Sequence, residues 1–492
     1  MSKVEKKTLE SKVLNGVKHN FIGAILKHGV TFVVSIFLSR LLSPTDFGLV
    51  GIATVFIVFT QGLSNLGLSS GLIREEKPTE SQLNTVFYFG LVVAFMLSFT
   101  LFFSASIIAK FYGIPELKNI TRSISFLFVL NSLNTVQSAL FYKNLEIKVT
   151  RIASVYAAII SGIIGITLAY AGFGVYSLVF SSYTINIVFT IIVWFKSKWR
   201  PQIIFNLADL KKLLPFGFRV FLIEYLDQVY SKLDVFLIGK FFSPATLGYY
   251  FRALSLNQVI TKYSAQSLSG VFFPAIRSFN YDIKKIESFY FKTFNIMCFI
   301  TFFLTGILYV SAYDVIIILF GNKWIQSVDY FKIIAFISLT YPLTIIFNGV
   351  FLGTNNSTMQ LKLEVLKKII GVVFTLTGLY FGLLALLYFS VTASLLSMLI
   401  SLYYINTVLG TGFKKLILNF AVYLIPLCLS IIGVELLKIY FTINFQLLNL
   451  VFNGIIYSLI FLGISYFISI PALPSLVSIL NKTIFLKLKQ KV

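Results

Sequence analysis

The stretch Arg219–Lys240, RVFLIEYLDQVYSKLDVFLIGK, sets three carboxylates into an apolar segment: Glu224, Asp227 and Asp234. At 100° per residue they and Ser231 share an arc of about 80°. Ionisable groups inside a long apolar run are costly to hold, so such residues usually carry function; carboxylates there suit a cation such as H⁺ or Na⁺. The following run carries the opposite sign. Arg252, Ser255, Gln258, Lys262 and Gln266 fall within about 120° of one another, a face suited to an anion. Lys27, His28 and Thr31 stand in a run near the N-terminus. Shifted by 200 positions, Ala24, Lys27, Thr31 and Val34 coincide with Glu224, Asp227, Ser231 and Asp234. The same face is therefore basic in one place and acidic in the other. Structural ion pairs, or lysines reaching toward a polar interface, are the competing explanation. The reading adopted is that these residues line a wet, charged cavity. Asn131, Asn134 and Gln137 in another run are explained at least as well by helix–helix hydrogen bonds.

Other chemistries have little material. The two cysteines, Cys298 and Cys428, lie inside apolar runs and offer neither a disulfide frame nor metal spacing. The two histidines, His19 and His28, fall on opposite sides of one helix. No Gly-rich phosphate loop is present, and no cofactor is expected. A membrane glycosyltransferase or polymerase would be expected to carry catalytic acids in long loops or added domains, which this sequence lacks.

The elements that position these residues follow from composition. The chain has 492 residues, 57% hydrophobic and only 12% charged, with a mean hydropathy of +0.88. Soluble domains carry roughly 25% charged residues, so the expected solvent is lipid. Fourteen apolar runs, at 19–42, 46–71, 83–112, 117–141, 149–171, 174–196, 210–240, 246–273, 287–320, 326–353, 363–382, 384–409, 416–440 and 447–470, are each near or above the ~20 residues that cross a bilayer as a helix. Lipid leaves open strands unsatisfied, so helices are the expected form. The expected fold is an all-α integral membrane protein of about fourteen transmembrane helices, with tight hairpins at 149–196 and 363–409. The first 18 residues hold five lysines and do not read as a signal peptide. Counting loops from that tail, a large majority of the 41 Lys and Arg residues lie on the tail side. The positive-inside rule then puts both termini in the cytoplasm. The net charge of +23 is thereby assigned to helix flanks facing anionic lipid, not to nucleic acid.

One corner is written twice. Ser39–Gly48 reads SRLLSPTDFG and Gly239–Gly248 reads GKFFSPATLG. Pro ends one helix, Ser caps the next, and the Gly falls in its first turn, where a missing side chain permits close packing. The repeat divides the chain into a basic segment 1–18, a lobe of six spans over 19–196 and a linker 197–209. A second six-span lobe follows over 210–409, then two spans over 416–470 and a basic tail 471–492. The two lobes share an orientation, the parallel-repeat arrangement of many transporters.

Residues 38–115 carry R-L-L-S-P-x-D-F-G, N-x-G-L after Ser64, QLNTVFY at 82–88 and F-Y-G at 111–113. This strongly resembles the polysaccharide-biosynthesis export proteins of the colanic-acid and O-antigen (Wzx) type. These belong to the MOP superfamily with MATE drug exporters and peptidoglycan lipid flippases. The second half is looser, with KFFSPATLG at 240–248 and LFGNKW at 319–324. The resemblance implies a flippase of the bacterial cytoplasmic membrane, not an enzyme. Two lobes would alternate access around a cationic cavity and move undecaprenyl-pyrophosphate-linked oligosaccharide from the inner to the outer leaflet, for O-antigen or capsule. Polymerases are possible partners. On this reading Lys27, Arg252, Lys262 and His28 meet the pyrophosphate, and Glu224, Asp227 and Asp234 serve cation coupling or gating. A MATE-like antiporter, and a membrane glycosyltransferase or polymerase, are the alternatives.

Overall fold

The computed structural model describes residues 3–269, 272–441 and 445–476, with side chains from Ile22 onward except at 60–62, 64–65, 223, 262–269 and 274. Among the described residues all regular structure is helical. Nine helices there are long and apolar enough to cross a membrane, and ten if the bent pair Leu117–Ser132 and Thr135–Lys143, with 41° between its parts, is one span. Each of the fourteen expected runs overlaps a helix among the described residues, but four do not meet that standard. Runs 46–71 and 246–273 lie partly outside the described side chains, and the first leaves the shorter apolar helix Pro44–Phe59. Run 210–240 is two helices, Leu207–Tyr230 and Leu233–Phe241. The helix Ser357–Tyr380 opens with Lys362, Glu364, Lys367 and Lys368 in its first half.

Two compact units divide the chain, one ending at Phe251 and the other starting at Arg252. Both repeated corners belong to the first unit. Ser43 caps the helix Pro44–Asn65: its hydroxyl accepts the Asp46 N–H at 3.2 Å, and the Asp46 carboxylate accepts the Ser43 N–H at 2.9 Å. Ser243 caps the later helix in the same way, accepting the Thr246 N–H at 3.2 Å. Thr246 supplies a hydroxyl where Asp46 supplied a carboxylate. The corners also pack on each other. A Cβ on Gly48 would overlap the Pro244 carbonyl, and one on Gly248 would overlap the Pro44 carbonyl. Glycine is thus required at both positions by backbone approach across a local two-fold relation.

The segment 197–209 is strapped to the start of the helix Glu80–Tyr112. Asn84 accepts the Gln202 N–H at 2.6 Å, and Thr85 accepts the Asn206 N–H at 3.0 Å. The Trp199 indole donates to Glu80 at 2.9 Å, and Ser81 bonds Asp209. Asn84 and Thr85 are fully buried, so these bonds satisfy side-chain acceptors that would otherwise be stranded. Around them pack Leu72, Leu83, Phe87, Trp199 and Leu213. The hairpin expected over 149–196 is present as Ile147–Tyr170 and Val175–Lys196, tied by Ser161 and Ser181 hydroxyls 2.8 Å apart.

The second unit has one large aromatic core. Phe272, Tyr290, Phe294, Phe302, Phe347 and Tyr457 are each at most 1% exposed. The hairpin expected over 363–409 appears as Ser357–Tyr380 and Leu383–Leu409.

Candidate functional site

In the first unit the basic residues of interest meet where the helix Lys3–Leu41 packs against Ile147–Tyr170. Gly23 makes that approach possible: a Cβ there would lie 2.6 Å from the Cβ of Arg151. Lys27, one turn further, is half-buried and within electrostatic range of Arg151. The Arg151 Nε is buried and accepted by no oxygen. Among the described residues no carboxylate pairs with Lys27 or Arg151. Two cations held together near a low-dielectric medium repel more strongly than in water, and a bound anion would offset that repulsion. His28 follows Lys27 on the same helix and is half-buried. Nothing in the sequence singles out Arg151, so its pairing with Lys27 emerges only from the packing of the two helices.

The acidic residues do not form one continuous stripe. Glu224 and Asp227 are exposed near the end of the helix Leu207–Tyr230. The chain then breaks at Ser231–Lys232, where the Ser231 hydroxyl donates to the Gln228 carbonyl at 2.8 Å. Asp234 restarts in the first turn of Leu233–Phe241 and is half-buried. Its Oδ1 accepts the Val235 N–H at 2.8 Å, and its Oδ2 accepts the Tyr250 hydroxyl. The uninterrupted helix assumed for the 80° arc is therefore corrected: the break separates Asp234 from the other two.

Arg252 belongs to the second unit and is only 4% exposed. Its guanidinium stacks over Phe320 at 5.1 Å and Trp324 at 5.0 Å. Cation–π contact at a desolvated site holds a guanidinium firmly. The guanidinium is thus packed against aromatic rings and does not face open space here. The rings come from the LFGNKW segment, 68 and 72 residues along the chain, and sequence periodicity carries no signal for that pairing. Lys262 has its side chain outside the described residues.

Asn134 donates to Thr190 at 2.7 Å, which supports the helix–helix explanation. Among the described residues Asn131 bonds only its own helix, at the Leu127 carbonyl. Gln137 is fully buried with neither amide atom hydrogen-bonded. A further buried acid went unnoticed in the sequence. Asp314, 2% exposed, accepts the Asn449 amide at 2.9 and 3.1 Å and the Asn453 amide at 3.4 Å. Its partners lie 135 and 139 residues away.

Nine long apolar helices among the described residues, with bent and broken neighbours, define the class as a multi-pass helical membrane protein. The chain belongs to the polysaccharide biosynthesis protein family, whose profile matches residues 37–329. It is 23% identical over 296 residues to the succinoglycan biosynthesis transport protein ExoT of Rhizobium meliloti (strain 1021), covering 60% of each chain. That match spans less than two thirds of the relative's length. It is 22% identical to the teichuronic acid biosynthesis protein TuaB of Bacillus subtilis (strain 168), over 68% of this chain and 69% of that one. The lipopolysaccharide biosynthesis protein WzxC of Escherichia coli (strain K12) is 21% identical, over 68% of each. In fold the chain is similar to the lipid II flippase MurJ, with a TM-score of 0.73 over 90% of this chain and 98% of that one, at 15% identity. A MATE family multidrug transporter of the MOP superfamily gives a TM-score of 0.60 over 78% and 96%, at 14% identity.

Proposed function

We propose that the protein moves undecaprenyl-pyrophosphate-linked oligosaccharide repeat units from the inner to the outer leaflet of the bacterial cytoplasmic membrane, for O-antigen or capsule. The observation that carries this reading is the Lys27–Arg151 pair, two cations on membrane-spanning helices with no carboxylate paired to either among the described residues. A pyrophosphate head group supplies the missing negative charge, while the polyprenyl tail stays in lipid. Family membership and the transporter fold support the same assignment. His28 and Lys262 are further pyrophosphate candidates. Arg252 joins them only in a state where its stack on Phe320 and Trp324 opens. Glu224, Asp227 and Asp234 are the candidates for coupling H⁺ or Na⁺, with Tyr250 answering Asp234. The topology proposed with this function is fourteen spans in two six-span lobes plus two spans, both termini cytoplasmic. The site alternates its exposure between the two faces of the membrane, and polymerases take up the delivered units.

Deletion of the gene tests the reading. Surface polysaccharide is expected to be lost while lipid-linked repeat units accumulate. If those units are never made in the deletion strain, the protein acts in their synthesis and the flippase assignment fails.

A further inference from the structure

We propose that Asn134 and Gln137 form a latent helix cap, which makes the bend between Ser132 and Thr135 a hinge with two positions. The bend lies in the first unit, where the helix Leu127–Ser132 gives way to Thr135–Lys143. Leu117–Ser132 and Thr135–Lys143 meet there at 41°. Neither Pro nor Gly stands between Phe126 and Lys143. Without them, a sharp kink usually means that a side chain or water has entered the helix hydrogen bonds. Side chains do so here. The Asn134 amide donates to the Leu130 carbonyl at 3.1 Å, and the Trp194 indole donates to the Leu133 carbonyl at 3.1 Å. In an unbroken helix the Leu133 carbonyl would accept the Gln137 N–H.

The sequence Asn134-Thr135-Val136-Gln137 has the spacing of a capping box. In that motif the first side chain accepts the N–H of the fourth residue, and the fourth side chain accepts the N–H of the first. The box is open in this structure. Asn134 has φ −101° and ψ −2°, close to helical values, whereas a capping residue is extended. Its Oδ1 and both Gln137 amide atoms are buried and make no hydrogen bond among the described residues. Asn134 is 6% exposed and Gln137 is fully buried. Buried polar groups left open in this way are costly. The two stranded acceptors, Asn134 Oδ1 and Gln137 Oε1, are the two that a closed box uses.

Closing the box exchanges one set of bonds for another. In the open form the Asn134 N–H donates to the Asn131 carbonyl at 3.2 Å, and the Asn134 amide donates to the Thr190 hydroxyl at 2.7 Å as well as to Leu130. The closed form gives up these three bonds, gains the two of the box and no longer strands two buried acceptors. The exchange is near balance, as a two-position element requires. Turning Asn134 to an extended ψ starts Thr135–Lys143 as a separate helix and swings it away from the line of Leu117–Ser132. Thr190 therefore favours the open form and Gln137 the closed one. The hinge involves no cargo, so it goes beyond the proposed function and is tested apart from it.

The test is a distance measurement by double electron–electron resonance on the purified full chain, with spin labels on Asn119→Cys and Tyr142→Cys. Both native side chains are exposed and lie on either side of the bend. Cys428→Ser removes the accessible native thiol, and Cys298 is fully buried. A bend twice as sharp shortens the separation by roughly 5 Å at 1.5 Å rise per residue. The parent chain should show a long and a short distance. Gln137→Met should lower the short-distance share at least about threefold, a factor within the range for one lost hydrogen bond. Thr190→Val should raise that share by a similar factor. An unchanged share in Thr190→Val overturns the proposal, as does a shift in the same direction in both variants. A single distance throughout, with a lower melting temperature for Gln137→Met, would assign the amide to a bound water and also overturns it. Thr190→Val keeps the side-chain shape at a half-buried site, so its folding is secure even if Gln137→Met fails to fold.

Discussion

Gly48 rests on the backbone carbonyl of Pro244 as Gly248 rests on that of Pro44. The two contacts are reciprocal, and in each the neighbour is backbone, which cannot rotate aside. Gly48→Ala and Gly248→Ala should each lower thermal stability in detergent by roughly 1–3 kcal/mol, the usual cost of overpacking. Gly463→Ala, also in a helix but with open space around it, should cost nothing. Equal tolerance of all three substitutions would show that the corners do not press together as described.

Half of this relationship is legible in the sequence. The Ser-Pro-x-x-x-Gly spacing gives a cap, a helix start and a glycine that admits a neighbour. It cannot say that each corner's neighbour is the other, because that contact joins residues 196 positions apart. The same limit applies to the site. Lys27 stands out as an ion inside an apolar run, but Arg151 does not, since it sits where a helix flank usually begins. Asp234 looks like a continuation of Glu224 and Asp227 because no Gly or Pro marks the break at Ser231–Lys232. Arg252 is visible as a charge, whereas its aromatic stack forms through tertiary packing alone. The helical class and both hairpins were readable because lipid forces long apolar helices, and that constraint acts on local sequence.

Asp314 should prove structurally costly to replace. Asp314→Ala leaves the half-buried Asn449 amide without its acceptor, a loss of roughly 1–3 kcal/mol. Asn449→Leu added to it should cost less than the two single losses combined, because the stranded donor is gone. Thermal denaturation of the four proteins in one detergent gives the coupling. Strictly additive losses would mean that Asp314 and Asn449 do not interact.

Arg252 offers a contrast between charge and shape. Lysine keeps the charge but not the planar stack on Phe320 and Trp324. Arg252→Lys is therefore expected to melt at a lower temperature than the parent protein. A melting temperature equal to the parent's would show that the flat guanidinium is dispensable.

Acid should weaken one helix start in a defined way. Asp282 caps Ile283–Val310, accepting the Lys285 N–H at 3.3 Å and pairing with the Lys285 ammonium at 3.0 Å. The Lys285 side chain, and after it the Lys285 N–H, hold the Asp282 carboxyl below the usual carboxylate range. A carboxyl depressed in the folded state stabilises above its unfolded value of about 3.9. That contribution fades as pH falls through the lower folded value. The group is partly exposed to solvent, so the effect should be small and shrink further with salt. Melting curves of the parent and Asp282→Asn between about pH 2 and 6 should converge at the acid end. A difference that persists unchanged there would contradict the assignment.

The central claim is that Lys27 and Arg151 together receive a phosphorylated lipid carrier that the protein then moves across the bilayer. The direct measurement is leaflet access in proteoliposomes containing the purified protein and an undecaprenyl-pyrophosphate-linked saccharide, read by an impermeant enzyme that cleaves only outward-facing saccharide. The parent protein should expose inner-leaflet substrate to that enzyme. Lys27→Ala and Arg151→Ala should each slow this by at least about tenfold, the factor for 1.4 kcal/mol of lost binding, while Lys148→Ala should not. Substrate that stays protected with the parent protein, or equal rates for all variants, would contradict the account.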